Sequence, residues 1–303
     1  MSMIGAFEAS GQFWKGNLHG HSTLSDGALE PAEVCARYRT AGYDFIALTD
    51  HFHSAYEFPI ADTRAFRDKG FTTLIGAELH APTTKRGSDW HILSVGLPLD
   101  FDPPKANESG PEIARRARNA GAFVAIAHPQ WYQLTLGDGL ALDAAHAVEV
   151  YNHTSHINSD RGDGLVLFDA LLAEGKRLSA IAVDDSHWKV ADAFGGWVMV
   201  KADDNTPENL LAALRAGHFY STQGPEISDI RLEGGEMLVT CTPAHSIACV
   251  GPVHANVQAV DNEDGTGLTT ARLNIERFQG GWCRVSVIGI DGKRAWSNPL
   301  WLD

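Results

Sequence analysis

The chain has 303 residues, 44% hydrophobic and 20% charged, with a formal net charge of -14. That size and composition suit a soluble globular protein of one large domain, or one large and one small. The acidic balance disfavours broad nucleic-acid binding, and no apolar stretch is long enough to span a membrane.

In chain order, the N-terminus MSMIGAFEASGQFWKG lacks a basic region followed by an apolar run, so no secretory signal is expected. Short apolar runs then recur, each ending in a polar or ionisable cluster: FWKGNLHGH, YDFIALTDH, FTTLIGAEL, WHILSVG, GAFVAIAHP, HAVEVYN and RLSAIAVDDSH. Runs such as DFIALTD and FVAIAHP are apolar on both faces, as strands of a covered parallel sheet are. Helical signals lie between several of them. LEPAEVCARYRTAG has Pro31 near a start and Gly42 after an end. SGPEIARRARNAG has Ser109 and Glu112 at capping-box spacing, then Gly121. GDGLVLFDALLAEG ends at Gly175, and TPENLLAALRAG runs from Thr206 to Gly217. Alternating strands and helices imply a parallel α/β architecture, and in a βα barrel the strand C-terminal ends form the active face.

After STQGPEI the helical signals vanish. ISDIRLEGG, EMLVTCTP, SIACVGPV, HANVQAV, TARLNIER, WCRVSVIGID and AWSNPLWLD read as short strands, separated by turns such as GG, EDGTG, QGG and DG. The expected division is a barrel over residues 1–223 and a small all-β, sandwich-like domain over 224–303. Cys35, Cys241, Cys249 and Cys283 form no CxxC pair, which points to reduced thiols in a cytoplasmic protein.

The ionisable strand ends carry the chemistry. His19 and His21, two residues apart, share a face only on extended chain, and Asp26 follows in a Ser-Asp-Gly turn. Asp185 and His187 repeat that spacing, and His51, Glu78 and His128 end other runs. Taken singly, each has a bland reading: a strand-end histidine, a turn residue, a helix cap. Gathered on one rim, so many buried charges cannot coexist without cations. His, Asp and Glu without Cys suit zinc, manganese or iron, not a structural thiolate zinc.

Other rim residues are candidates of a second kind. Asp50 and His53 flank His51 and could orient a ligand or serve in acid–base catalysis. Asn152, His153 and Arg161, in EVYNHTSHINSDR, and Lys189 could bind substrate. Equally, that segment could be a solvated loop capping a helix at Asn158, Ser159 or Asp160. Trp131, Tyr132 and Trp188 could wall a cavity or fill the core, and Tyr220 is expected between the domains.

HGHSTLSDG, ALTDH, GAE, HILSVG, AIAHP, EVYN and VDDSH, in this order, resemble the motifs of the PHP (polymerase and histidinol phosphatase) superfamily over roughly residues 13 to 222. AGHFYSTQGPEI and the closing KRAWSNPLWLD resemble a branch that includes carbaryl hydrolases. The resemblance implies a distorted (β/α)7 barrel with two or three divalent metal ions at its C-terminal face. By similarity, His19, His21, Glu78 and Asp185 hold the first metal. Glu78 bridges to a second, also held by His91 and His128, while Asp26, His51 and His187 hold a third. Asp26 stands where some relatives have histidine. The implied chemistry is hydrolysis by a hydroxide bridging two cations about 4 Å apart. The expected reaction is phosphoester cleavage on a small phosphorylated metabolite. The alternative is ester, amide or carbamate cleavage at the same centre. A small-molecule substrate is expected, with neither nucleic acid nor a membrane as partner.

Overall fold

The computed structural model describes residues 5–261 and 265–302. The expected EDGTG turn therefore begins outside the described residues. The first ten strands are β1 (Gln12–Asn17), β2 (Phe45–Leu48), β3 (His51–Phe52), β4 (Thr72–Ala81), β5 (Trp90–Val95), β6 (Phe123–Ile126), β7 (Ala147–Asn152), β8 (Ser179–Val183), β9 (Trp197–Ala202) and β10 (Phe219–Thr222). Interleaved helices are α1 (Pro31–Thr40), α2 (Gly110–Asn119), α3 (Leu136–Ala141), α4 (His153–Ser159), α5 (Leu165–Ala173) and α6 (Pro207–Ala216). The four helices expected from caps and spacing are α1, α2, α5 and α6. Ser109 and Glu112 form the capping box of α2, and Gly217, at φ 74°, closes α6.

The sheet closes on itself. β1 runs parallel to β2, β2 and β3 parallel to β4, and β6, β7 and β8 parallel in turn. Beyond the end of β1 the chain stays extended, and a parallel bridge joins Gly20 to Ser186 past the end of β8. Two features depart from a regular alternation of parallel strand and helix. β5 is antiparallel to both β4 and β6, and no α-helix separates β2 from β5. β9 and β10 are further strands, both antiparallel to their neighbours, that the sequence reading did not separate out.

Strand parity divides the core. Phe45 and Ala47 of β2, Phe123 and Ala125 of β6, and Ile181 and Val183 of β8 share the barrel interior. Ile46 and Leu48 instead pack with Val34, Cys35 and Tyr38 of α1, and Val124 and Ile126 join the cluster that includes Ile113 and Ala117 of α2. This two-sided burial explains why the runs read as continuously apolar. Gly16 makes room for the interior: a Cβ there would stand 2.1 Å from the Phe45 ring. Continuing the same parity past the apolar plug brings the next inward positions to the rim.

The C-terminal part is all-β: β11 (Ile227–Glu233), β12 (Glu236–Val250), β13 (Asn256–Val260), β14 (Leu268–Asn274), β15 (Trp282–Gly289), β16 (Arg294–Ser297) and β17 (Leu300–Trp301). EMLVTCTP and SIACVGPV are not two strands but one, β12. The exposed Pro243 falls at register shifts between Thr240 and Ser246, so it bends the strand without ending it. β12 pairs with β11 and β14 along its first half and with β13 and β15 along its second. The barrel sheet continues into this part, because β10 pairs with both β9 and β16. Tyr220 of β10 is buried there against Phe7 and Phe13. All four cysteines are buried and unpaired. Among the described residues no helix is long and apolar enough to cross a membrane.

Candidate metal centre at the barrel rim

Each inward strand end delivers a polar side chain. Beyond Leu18 the extended chain carries His19 and His21, both fully buried. The turn that follows is held tightly. Asp50 accepts hydrogen bonds from Ser22 N at 2.7 Å, Ser22 Oγ at 2.7 Å and Ser25 Oγ at 2.6 Å. Gly27 packs directly on His21, where a Cβ would lie 2.7 Å from the His21 carbonyl carbon. Asp26 is thereby turned back over the rim. Leu74 of β4 and Leu93 and Val95 of β5 belong to the barrel interior, so Glu78 and His91 lie inward as well. Ala147 and Val183 likewise set the inward parity of Glu149 and Asp185.

The nine candidate ligands converge. Asp185 Oδ1 is 2.9 Å from His21 Nε2 and 3.3 Å from His19 Nε2. Glu78 Oε1 is 2.9 Å from both His91 Nδ1 and His128 Nε2, and 3.8 Å from His19 Nε2. Asp26 Oδ1 is 3.3 Å from His187 Nε2 and 3.5 Å from His51 Nε2. Four sets bring donor atoms within 4.8 Å of one another: His21, Asp26, His51 and His187; His51, Glu78, His80 and His91; His19, His21 and Asp185; His19, Glu78 and His128.

The donor set fits divalent cations. His19 Nε2, Asp26 Oδ1 and Glu78 Oε2 are buried without a hydrogen bond, which is costly unless something else satisfies them. Burial and the neighbouring His187 push His21 down to about 3, and burial lowers His91 to about 4, so both rings are neutral and offer lone pairs. Burial alone would raise Glu78, but His51, His91, His128 and His19 hold it well below the usual carboxylate range. Asp185 and Asp26 are likewise held low against burial, by His19 and by His187 respectively. Ionised carboxylates facing the neutral His21 and His91 rings are the protonation state that metal binding requires. At His51 and His128 burial is outweighed by Glu78, and at His187 by Asp26 and Asp185, so all three are raised, His187 to about 9. At His19, burial is outweighed by Asp185 and Glu149, which raise its affinity for a proton; a cation is the alternative neutraliser.

Residues beyond the nine orient them. Glu149, fully buried, lies 2.7 Å from His19 Nδ1 and accepts the His128 backbone N–H at 2.6 Å and the Asn152 amide at 2.9 Å. It thus directs the other nitrogen of His19 at the cluster. Glu149 is not among the residues expected from the motifs; its sequence signal is a carboxylate inside the otherwise apolar run HAVEV. His187 Nδ1 is 2.8 Å from the Asp185 carbonyl, which turns Nε2 toward Asp26. Asp185, at φ 58°, and His128, at φ 21°, hold the left-handed backbone that strand-end functional residues often adopt.

The remaining candidates separate. All the hydrogen bonds of Asp50 given above go to the 22–25 turn. His53 caps a short 3-10 turn, its Nδ1 accepting the Ala55 N–H at 3.1 Å. EVYNHTSHINSDR is no open loop: Asn152, fully buried, is the N-cap of α4, and its amide also donates to Asp185 at 3.1 Å. Asp160 sits at the opposite end of that helix. Neither it nor Asn158 nor Ser159 is a cap for a helix start. His153 contacts Tyr151 Oη at 2.8 Å and lines a separate cavity beside Lys293 and Trp296. Arg161 is exposed and reaches the Trp131 carbonyl at 3.4 Å. Lys189 lies 3.0 Å from Asp26 Oδ2. A cavity of about 350 Å³ opens on His51, His91, His128 and His187, with Trp131 and Lys189 also in its wall. Trp131 and Tyr132 both pack on the His91 and His128 rings. Trp188 instead packs against Tyr38 and Phe194, away from that cavity.

Residues 17–161 match the family model described as PHP domain, so the chain carries a PHP domain over that segment. Asp185 and His187 lie beyond the matched segment. Over 197 residues, 64% of this chain and 83% of the relative, the chain is 26% identical to the uncharacterized protein MJ1295 of Methanocaldococcus jannaschii. In fold it is similar to a crystal structure from Bacteroides vulgatus, described as a two-domain protein containing a predicted PHP-like metal-dependent phosphoesterase. That likeness covers 99% of this chain and 100% of the other at 15% identity, with a TM-score of 0.55. An amidohydrolase from Chromobacterium violaceum, with sulfate bound and no metal, aligns over 58% of this chain and 89% of its own at 18% identity, with a TM-score of 0.43.

Proposed function

We propose that this protein is a metal-dependent hydrolase, and specifically a phosphoesterase that releases phosphate from a small phosphorylated metabolite. The observation that carries the reading is the rim itself: buried carboxylates and histidines, with donor atoms left unsatisfied, face a cavity of small-molecule size. The PHP domain, and the description of the Bacteroides protein of the same fold, support the phosphate chemistry.

In this reading His19, His21, Glu78 and Asp185 hold one cation, Glu78, His91 and His128 a second, and Asp26, His51 and His187 a third. The mixed oxygen and imidazole donors suit zinc, manganese or iron. Such cations supply Lewis acidity and a water ionised near neutral pH. The chain's own groups do the rest. Glu149 and Asn152 fix the orientation of His19 and Asp185, and Asp50 fixes the turn that carries Asp26. Asp50 and Asn152 are therefore positioning residues. Lys189, at the cavity wall, meets the anionic substrate group, with Arg161 further out beside Trp131. Trp131 shields one side from water. His53, whose ring packs on that of His80, and His153, in its separate cavity, are given no step in this reading.

One observation favours carbonyl chemistry as a second reading. Lys189 is the one Lys or Arg side chain in the cavity wall among the described residues, and it already faces Asp26, while Trp131 and Val190 make part of the wall apolar. The closing segment's likeness to carbaryl hydrolases points the same way. The test is turnover of an aryl phosphate against an aryl ester or carbamate by zinc- or manganese-loaded protein, with His21→Ala as the blank. Phosphate release falling by about 10²–10³-fold or more in the variant is expected. Carbonyl cleavage alone, equally lost in the variant, would replace the phosphoesterase reading with the second one.

A further inference from the structure

His80 lies outside the implied ligand set, yet sheet register puts it among the donors. Glu78 and His80 are two apart on β4 and so face the same way. His51 of β3 is the register partner of Glu78, and His91 of β5 is the register partner of His80. Three adjacent strands therefore set four donor side chains side by side. The two oxygens of Glu78 serve different groups: Oε1 is 2.9 Å from His91 and His128, while Oε2 is 2.5 Å from His51 Nδ1 and 3.6 Å from His80 Nε2. Despite that approach, Oε2 makes no hydrogen bond. His80 is 8% exposed, its ring 4.3 Å from that of His91, and its Nε2 is 2.9 Å from His51 Nδ1. A buried carboxylate oxygen faced by two imidazole nitrogens, with no hydrogen bond to either, is a donor arrangement that a cation would satisfy.

We propose that His80 is a metal ligand: with Glu78 and His91 it encloses one of the rim cations on the β3–β4–β5 side, next to the His51 ring. This rests on the reading of the rim as a metal centre. The competing role is a hydrogen bond from His51 Nδ1–H to His80, which would make His80 a positioning residue only.

The test compares wild type with His80→Ala and His80→Gln, using zinc alone in competition with a chelator, and cobalt as a spectroscopic substitute. Folding of each metal-free variant is checked by circular dichroism, and the Gln variant serves if the Ala variant fails to fold. The expected result is one zinc equivalent held at least about 10-fold more weakly, together with a changed visible cobalt spectrum. The same number of equivalents at unchanged affinity, or weaker binding with an unchanged cobalt spectrum, overturns the proposal and leaves the metal centre standing. Wild-type protein that binds no zinc overturns both.

Discussion

The barrel rim and the core of the β domain are buried to the same degree and built from opposite chemistry. His19, His21 and Glu78 at the rim are 0% exposed, as are Ile247, Cys249 and Val287 in the β domain. Removing the second set from water is favourable in itself. Removing the first is costly, and each charge there must find an opposite charge or a cation. The β-domain core accordingly needs only shape, with Met237 against Cys249 and Phe278 beneath Gly251. The rim needs a scaffold of hydrogen bonds. Burial alone therefore says nothing about function; unsatisfied buried charge does.

Three perturbations bear on that contrast. The largest effect is expected from Glu149→Gln. The change keeps the shape of the group that orients His19 but removes its charge, so metal affinity should fall about 10- to 100-fold by chelator competition, with little change in thermal stability of the metal-free protein. Unchanged affinity would mean that the rim tolerates a neutral neighbour as the β core does. Next comes Arg284, 5% exposed on β15, which binds Asp169 of α5 through Nε at 2.8 Å and a second nitrogen at 2.7 Å. It is a charge placed between the two regions. Arg284→Met should cost about 2 kcal/mol in urea unfolding, because Asp169 is left half-buried and unpaired. Asp169→Leu added to it should recover part of the loss, and additive costs would break the pairing argument.

The smallest effect is expected at His146, at the barrel end opposite the rim. Burial, with Arg118 and Arg215 adding to it, lowers this ring to about 4. The unfolded chain therefore takes up the proton first, and stability falls as pH drops from about 6.5 toward about 4. His146→Gln keeps an acceptor for the Val124 N–H and should flatten that fall by on the order of 1 kcal/mol, after screening at a partly exposed site. Urea midpoints at pH 7 and pH 5 check it, and parallel falls in both proteins would refute it.

Much of the fold was legible because its signals are local. Ser109 with Glu112, Thr206 with Gly217, and Pro31 before Val34 mark helix ends within a few residues of the feature they control. Two-sided apolar runs mark the barrel strands in the same way. Pro243 misled for the opposite reason: a bulge supported by partner strands absorbs a residue that by itself signals an end. Asp50 reads as a catalytic candidate because it neighbours His51 in sequence, and Asn152 because it ends a strand run, but only the folded chain shows that Asp50 holds the Ser22 turn and that Asn152 both caps α4 and donates to Asp185.

By itself, then, the order of residues determined the strand and helix segments, the helix caps and the ionisable residues available at each strand end. These follow from propensity, capping and periodicity, which act over a turn or a strand. Only the tertiary structure decided that β5 runs antiparallel, that His80 pairs with His91, and that Glu149 stands behind His19, 130 positions earlier in the chain. The reason is register. Which residue of one strand lies opposite which of another is set when the sheet closes on itself, and no local signal in either strand carries that information.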